Sequence, residues 1–326
     1  MGDGLMTPVE VIAVDIEDIR AAHTRISPHI LHTPVLCSEA LDREAGATLF
    51  FKCENLQRIG AFKARGACNA VLSLSDADAA HGVVTHSSGN HGAALAWAAQ
   101  TRGIRAWVVM PANAPSVKQD AVRGFGATIR FCEPTVAARE EACAAVQAET
   151  GAVLVHPYND WRVIAGQGTA ALELLADAPQ IDAVVAPVGG GGLLSGTTIA
   201  AKAIKPSIMV YGAEPQGADD AAQSLRLGRI VPQTNPRTIA DGLRSSLGEK
   251  TFAVISARAD GIGTASEEAI VRAMRLTWEK LKVLIEPSAA VPLAALLEGT
   301  LPLKGLRVGV ILSGGNVDLE RLPWQK

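Results

Sequence analysis

The chain has 326 residues, enough for two domains or one large α/β unit at roughly 100–200 residues per domain. Its apolar fraction of 48% supplies a large core, and its formal net charge of −3, with Lys and Arg scattered, excludes a basic surface for nucleic acid or an anionic membrane. The five cysteines (Cys37, Cys53, Cys68, Cys132, Cys143) contain no C-x-x-C and the seven histidines no zinc spacing, so the thiols read as reduced, in a cytoplasmic protein.

In chain order, the acidic segment Met1 to Glu17 lacks the apolar stretch of a signal peptide. No later apolar run reaches membrane-span length. Short β-branched runs then recur, and the pattern predicts strands at Val83–Thr85, Ala106–Met110, Thr128–Phe131, Val153–His156, Ala183–Pro187, Met209–Ala213 and Val308–Leu312. Helix-like segments lie between them at His91–Thr101, Val117–Phe125, Arg139–Glu149, Gly168–Ala176 and Leu193–Ala203. Two more follow at Ser266–Lys282 and Ala289–Glu298; Ser266 offers an N-cap, with Glu267 and Glu268 in the first turn. The β-α-β-α rhythm implies parallel sheets covered by helices on both faces. Pro232–Arg237, with two prolines, reads as a turn or surface excursion.

Four strand-to-helix switches carry groups suited to a ligand. Gly60-Ala-Phe-Lys-Ala-Arg-Gly66 places Lys63 between Phe62 and a small-residue helix. A desolvated amine there becomes a nucleophile for a carbonyl, although alone it reads as a surface charge. Thr85-His-Ser-Ser-Gly-Asn-His-Gly92 offers hydroxyls, an amide and free helix-start N–H groups for a carboxylate. Helix capping by Ser88 or Asn90 explains the same residues, and His91 alone is more often a structural donor. Pro187-Val-Gly-Gly-Gly-Gly-Leu-Leu-Ser-Gly196 lets the backbone of Gly189, Gly190, Gly191 and Gly192 approach an anion, and a plain turn seldom needs four glycines. It is neither G-x-G-x-x-G nor a P-loop. Leu312-Ser-Gly-Gly-Asn316 puts Ser313 at a strand's carboxyl end, where open α/β sheets place ligands, or is an ordinary turn. Together with the lysine, the four strand ends suggest one crevice.

As a set, G-A-F-K-A-R-G, S-S-G-N-H, the four glycines and S-G-G-N resemble the fold type II (tryptophan synthase β-like) family of pyridoxal-phosphate (PLP) enzymes. The closer resemblance, from about His32 to Leu319, is to the branch of serine racemases, serine/threonine dehydratases and 3-hydroxyaspartate dehydratases. It implies two parallel-sheet domains with helices on both faces: a large PLP-binding domain from 1–81 and 160–326, and a small inserted domain at 82–159. It implies that Lys63 carries the cofactor as a Schiff base, Phe62 packs by the pyridine ring, Asn90 bonds the ring hydroxyl oxygen, Gly189 to Gly192 hold the phosphate, and Ser313 bonds the ring nitrogen. Ser88 faces Cα opposite the lysine, while Ser87, Asn90 and His91 hold the substrate carboxylate. Ala61 departs from the serine often found before Phe-Lys, which removes a hydroxyl near the site. Glu214-Pro-Gln-Gly-Ala-Asp-Asp220 is similar to a divalent-cation loop, implying Mg²⁺ or another cation on Glu214, the Ala218 carbonyl and Asp220; by spacing alone it equally fits an acidic helix cap.

The implied chemistry is removal of water and ammonia from a β-hydroxy amino acid, with Lys63 as general base and the ring as electron sink. A neutral serine at the ring nitrogen weakens that sink and favours loss of a β-leaving group. Arg139 matches an arginine that reaches a second carboxylate, with Ser245 a further polar candidate, which favours 3-hydroxyaspartate going to iminosuccinate and oxaloacetate. A surface position for Arg139, paired with Glu140 or nearby acids, is the plain alternative. Serine racemase or L-serine/L-threonine dehydratase is the nearest other activity; thiol β-replacement and an amino-acid or nucleotide sensor are more distant. A homodimer is usual in the family.

Overall fold

The structure, a computed structural model, describes residues 12–114 and 116–325. The leader expectation for Met1 to Val11 lies outside them. The strands are β1 (Val35–Leu36), β2 (Thr48–Lys52), β3 (Val83–His86), β4 (Ala106–Pro111), β5 (Thr128–Cys132), β6 (Val153–Leu154), β7 (Ala183–Pro187), β8 (Met209–Pro215), β9 (Gly261–Ala265) and β10 (Arg307–Ile311). The α-helices are α1 (Ile16–Ile26), α2 (Glu39–Ala45), α3 (Lys63–Leu72), α4 (Asp76–His81), α5 (Asn90–Arg102), α6 (Ser116–Gly124) and α7 (Val136–Thr150), then α8 (Trp161–Asp177), α9 (Gly192–Ile204), α10 (Asp220–Leu227), α11 (Glu249–Arg258), α12 (Glu267–Leu276) and α13 (Pro287–Glu298).

One sheet has the order β1-β2-β10-β7-β8-β9, parallel except for the antiparallel edge strand β1. The other is β5-β4-β3-β6, parallel throughout. Parallel neighbours need crossover connections, and the helices supply them. All five residues of β7 and all six of β4 are buried, as expected for strands covered on both faces.

The expected strands are present, but β6 stops at Leu154 rather than His156. The chain turns there because His156 Nδ1 accepts hydrogen bonds from the Tyr158 and Asn159 N–H groups, at 3.4 and 3.0 Å. Helix α8 starts seven residues before Gly168, where Asp160 caps the Arg162 N–H at 2.8 Å. Helix α7 starts at Val136, capped by Thr135. Ser266–Lys282 is not one α-helix: α12 ends at Leu276 and Thr277–Leu281 widens into a π-turn. Strands β1, β2 and β9 are additions.

Glycine sets the closest helix contact. A Cβ on Gly196 of α9 would lie 2.4 Å from the Ile164 carbonyl of α8, and one on Gly168 would lie 2.8 Å from the Gly196 carbonyl. The two helices therefore meet backbone to backbone.

Beside them lies a buried charge cluster. The Arg65 guanidinium on α3 is fully buried and bonds Glu54 through Nε and Nη2 at 2.7 and 2.8 Å. Its Nη1 and Nη2 reach Glu173 of α8, each at 2.7 Å. Lys52, at the end of β2 and also fully buried, donates to Glu173 Oε2 at 2.7 Å and to the Thr33 carbonyl. Burial alone would raise the Glu173 pKa. Hydrogen bonds from His23 and Arg65, and the charges of Arg65 and Lys52, hold it below the usual carboxylate range instead. Breaking a buried ion pair from one side costs about 3–5 kcal/mol, because a charge is left without compensation. Arg65→Met is therefore expected to lower unfolding stability by that amount in a urea titration; a loss under about 1 kcal/mol, within the range of a surface pair, would contradict this role.

Candidate active site

Lys63 is the first residue of α3, just after a strained turn. Ile59 has φ 57° and Gly60 φ 71°. A β-branched residue at positive φ persists only where its surroundings fix it. Here Asn316 Nδ2 donates to the Ile59 carbonyl at 2.8 Å, the Gly315 N–H to the Gly60 carbonyl at 2.9 Å, and the Phe62 N–H to the Ser313 carbonyl at 3.0 Å. The lysine turn is thus zipped to the loop after β10, which joins two of the four motifs.

The Lys63 side chain is half-buried; its Nζ donates to the Pro157 carbonyl at 2.9 Å and lies 5.0 Å from the centroid of the Phe62 ring. Desolvation pushes its pKa down to about 8. Phe62 itself packs into the core beside β7 and β8.

Pro157 leads to the third motif. The next residue, Tyr158, packs on the glycine loop: a Cβ on Gly190 would lie 2.2 Å from the Tyr158 ring, and one on Gly192 3.1 Å from its Cβ. Gly191 has φ 84°, and a Cβ there would meet Leu247 at 2.7 Å; at Gly189 it would meet Leu243 Cα at 3.0 Å. Glycine is thus required beneath the loop by packing. Above it, the first N–H groups of α9 have no intrahelical partner, as at any helix start. That is a cradle for an anion.

Residues 87–91 close the ring. The N-cap of α5 is Gly89, and neither Ser88 nor Asn90 caps it, so the simple capping explanation does not hold. Ser87 Oγ accepts from the Gly89 N–H at 3.2 Å, and Ser88 Oγ has no hydrogen bond among the described residues. Asn90 Nδ2 donates to both oxygens of Glu286, at 3.0 and 3.1 Å, and Asn90 Oδ1 accepts from Asn316 Nδ2 at 2.9 Å. His91 is buried with Nε2 3.3 Å from the Val155 carbonyl and Nδ1 without a partner. Burial, with the Lys63 charge, holds its pKa well below the usual value, so it serves as a neutral ring.

Next to these stand three edge-on rings. The His86 and His156 centroids are 5.2 Å apart, and those of His156 and Tyr158 4.6 Å. Burial, then the His86 charge, pushes His156 down to about 4. His86 is also lowered, by burial first and then by Arg139, against the opposing Glu140. Arg139 therefore lies within electrostatic reach of the β3 end. Its guanidinium has no hydrogen bond or ion pair among the described residues, and its Nε is buried. The expected alternative, pairing with Glu140, does not occur. Ser245 is exposed on the loop after residues 241–243 and has no contact with Arg139 among the described hydrogen bonds.

The acidic loop also folds otherwise than as a simple cap. Asp219 is the N-cap of α10 but makes no capping bond; instead Glu214 accepts the Ala221 and Ala222 N–H groups at 3.1 and 2.8 Å. Glu214 is fully buried, with a pKa raised well above normal, first by desolvation and also by Asp220. Asp220 is pushed up to about 6 by burial, Oδ1 accepts from Gln233, and Oδ2 is buried without a partner. Among the described residues no three His, Cys, Asp or Glu side chains converge. Of the four carboxylate oxygens of Glu214 and Asp220, Asp220 Oδ2 alone lacks a partner among the described residues. All five cysteines are free, and no described helix is long and apolar enough to cross a membrane.

Sequence reasoning missed Pro157, Tyr158 and Glu286. The run His-Pro-Tyr-Asn straight after a strand was an available signal for the first two.

The amine, the glycine cradle and the strand-end hydroxyl of Ser313 fit a phosphorylated aldehyde. Residues 26–314 match the family described as pyridoxal-phosphate dependent enzyme. A beta-hydroxyaspartate dehydratase of Paracoccus denitrificans is 53% identical over 94% of this chain and 98% of its own length. A serine racemase of Arabidopsis thaliana is also 53% identical, over 96% of each chain. The crystal structure of serine racemase from Dictyostelium discoideum superposes with a TM-score of 0.90 at 49% identity, covering 94% of this chain and 99% of that one. Capture of PLP by the apo-protein should accelerate with pH and level off above about 8, where the Lys63 amine is neutral. Stopped-flow absorbance tests this; a rise continuing towards the ordinary lysine value of about 10.4 would contradict the burial argument.

Proposed function

The chain belongs to the pyridoxal-phosphate dependent enzymes, in their dehydratase and racemase branch, and from that premise we propose that it removes water and ammonia from 3-hydroxyaspartate. The observation that carries this reading is the unpartnered Arg139 guanidinium. A buried N–H without an acceptor is costly, and native structures seldom keep one without a reason. A second substrate carboxylate supplies the acceptor; serine and threonine have none. The neutral His86 and His156 rings leave the positive charge with Arg139.

Lys63 takes the proton from Cα, and its lowered pKa suits a base working near neutral pH. The bound cofactor supplies the electron sink for the bond broken at Cα. Ser313 gives the ring nitrogen a neutral partner, Asn90 meets the ring oxygen, and the Gly189–Gly192 backbone holds the phosphate. Ser87 and the N–H groups at the start of α5 hold the α-carboxylate, with His91 behind them as a neutral support. The free Ser88 hydroxyl is the second proton carrier at Cα, which makes racemisation a side reaction. Residues 82–159 form the small domain, and the substrate sits between it and the remainder.

Arg139→Ala should lower kcat/KM for 3-hydroxyaspartate about tenfold to a hundredfold, the worth of charge-assisted hydrogen bonds, and leave serine turnover nearly unchanged. Equal losses on both substrates would remove the case for a dicarboxylate.

The Glu214, Ala218 and Asp220 loop holds Mg²⁺ or another divalent cation, supported by the buried free Asp220 Oδ2. Added Mg²⁺ or Ca²⁺ should stabilise the chelator-treated protein by about 2.7 kcal/mol at a hundredfold excess over Kd. Asp220→Asn should abolish the gain. Thermal melts with no cation dependence would refute the site.

A further inference from the structure

Glu286 is a buried carboxylate that no part of the reaction scheme above uses. It is 5% exposed and stands at the N-cap of α13, yet its side chain does not cap that helix. It turns to the active site instead. Both oxygens meet Asn90 Nδ2, and Oε2 also accepts the Asn316 N–H at 3.2 Å. Its own N–H donates to the Gly314 carbonyl at 3.0 Å, and a Cβ on Gly314 would come within 2.8 Å of its carboxylate. Among the described residues, every hydrogen-bond donor to this carboxylate is neutral. The nearby Lys118 is paired with Asp241 at 2.6 Å. Burying a carboxylate among neutral donors is costly, and such groups concentrate at functional sites.

Burial pushes the Glu286 pKa up to about 7. In its ionised form Glu286 accepts and cannot donate, so the network then has one donor arrangement, with the Asn90 nitrogen turned towards Glu286. The Ile59 carbonyl also only accepts, so Asn316 must turn its nitrogen inward, and that nitrogen reaches Asn90 Oδ1. The Asn90 amide is fixed from both sides. One of its two N–H bonds remains for a ligand.

We propose that Glu286 is a positioning residue, whose two oxygens hold the Asn90 amide with its remaining N–H directed at the oxygen of the cofactor ring. The inference rests on the reading that Asn90 meets that oxygen. A glutamine at 286 cannot do the same work. The Asn316 N–H requires an acceptor at the Oε2 position, which leaves the glutamine NH2 about where Oε1 now stands, 3.0 Å from Asn90 Nδ2. Its oxygen at the Oε2 position keeps one contact with Asn90 Nδ2, at 3.1 Å, but at the other donor faces donor, so the two-oxygen hold on Asn90 is lost.

The experiment is a double-mutant cycle on the full chain, with Glu286→Gln and Asn90→Ala singly and together. The readouts are the tautomeric absorption bands of the bound cofactor and the Kd for added pyridoxal 5′-phosphate. Glu286→Gln is expected to change the band ratio and raise Kd about tenfold, with no further change once Asn90 is alanine. An equal change in both backgrounds would overturn the proposal, because Glu286 would then act without Asn90. Wild-type bands and Kd in Glu286→Gln, with altered ones in Asn90→Ala, would also overturn it while leaving the Asn90 contact intact. Unaltered bands in Asn90→Ala would instead sink the underlying contact. Should Glu286→Gln not fold, Glu286→Asp against Glu286→Asn repeats the comparison, with wild-type bands expected only for the carboxylate.

Discussion

The position of Lys63 depends on a charge two residues further along α3. Arg65 is fully buried and survives there because Glu54 and Glu173 each meet its guanidinium with both oxygens, while Lys52 balances the second carboxylate. Two fully buried cations face two buried anions, with the part-exposed Asp177 3.7 Å from Lys52 at the rim, and such pairing is the condition for burying charge at all. Through these bonds α3 is tied to the turn after β2 and to α8. The lysine turn before it is tied separately to the loop after β10. With both ends fixed, the strained Ile59–Gly60 backbone keeps its shape and the amine stays beside the Pro157 carbonyl. Preorganisation of this kind removes a cost that would otherwise fall on cofactor binding.

Much of this was legible in the sequence, and the exceptions have physical reasons. Seven strands and the four strand-end motifs could be read because buried parallel strands are β-branched and their ends carry glycines and hydroxyls. Strand β9, Gly-Ile-Gly-Thr-Ala, reads as a loop; it forms because Gly263 packs against Leu301, where a Cβ would come within 2.7 Å. The first half of α8 was obscured by Gly166 and Gly168, which look like breaks but are the surfaces on which α3 and α9 rest. Glu286 left no local trace. Its partners are Asn90, 196 residues away, and Asn316, 30 residues away, and nothing near it in the chain indicates that its carboxylate bypasses its own helix.

The electrostatics of the pocket separate into two regions. Around Lys63, burial lowers the amine's pKa to about 8, and burial likewise holds the His86, His91 and His156 rings below their usual values. Arg139 lies within electrostatic reach of His86, whose pKa it lowers. Glu140, one residue on, opposes Arg139 at His86 but does not bond it. Among the described residues the Arg139 Nε is buried without an acceptor, while burial lowers the Lys63 pKa to about 8.

Overall similarity does not discriminate between dehydratase and racemase activity, since a hydroxyaspartate dehydratase and a serine racemase match this chain at the same 53%. Both must build the same cofactor pocket, and that shared requirement fixes most of the fold. Discrimination therefore falls to the few side chains that touch what differs between substrates, the group on Cβ. Serine has a hydrogen where hydroxyaspartate has its second carboxylate, and so offers Arg139 no anionic acceptor. A β-carboxylate converts an uncompensated guanidinium into a charge-assisted pair in a partly dehydrated site, where such pairs are stronger than in water. Sites built around a polar partner discriminate strongly against ligands that lack it, because the unmet group is left behind. On the proposed reading, selectivity for a dicarboxylic substrate would rest on the unsatisfied Arg139 Nε, and the rest of the pocket need not differ between the two activities.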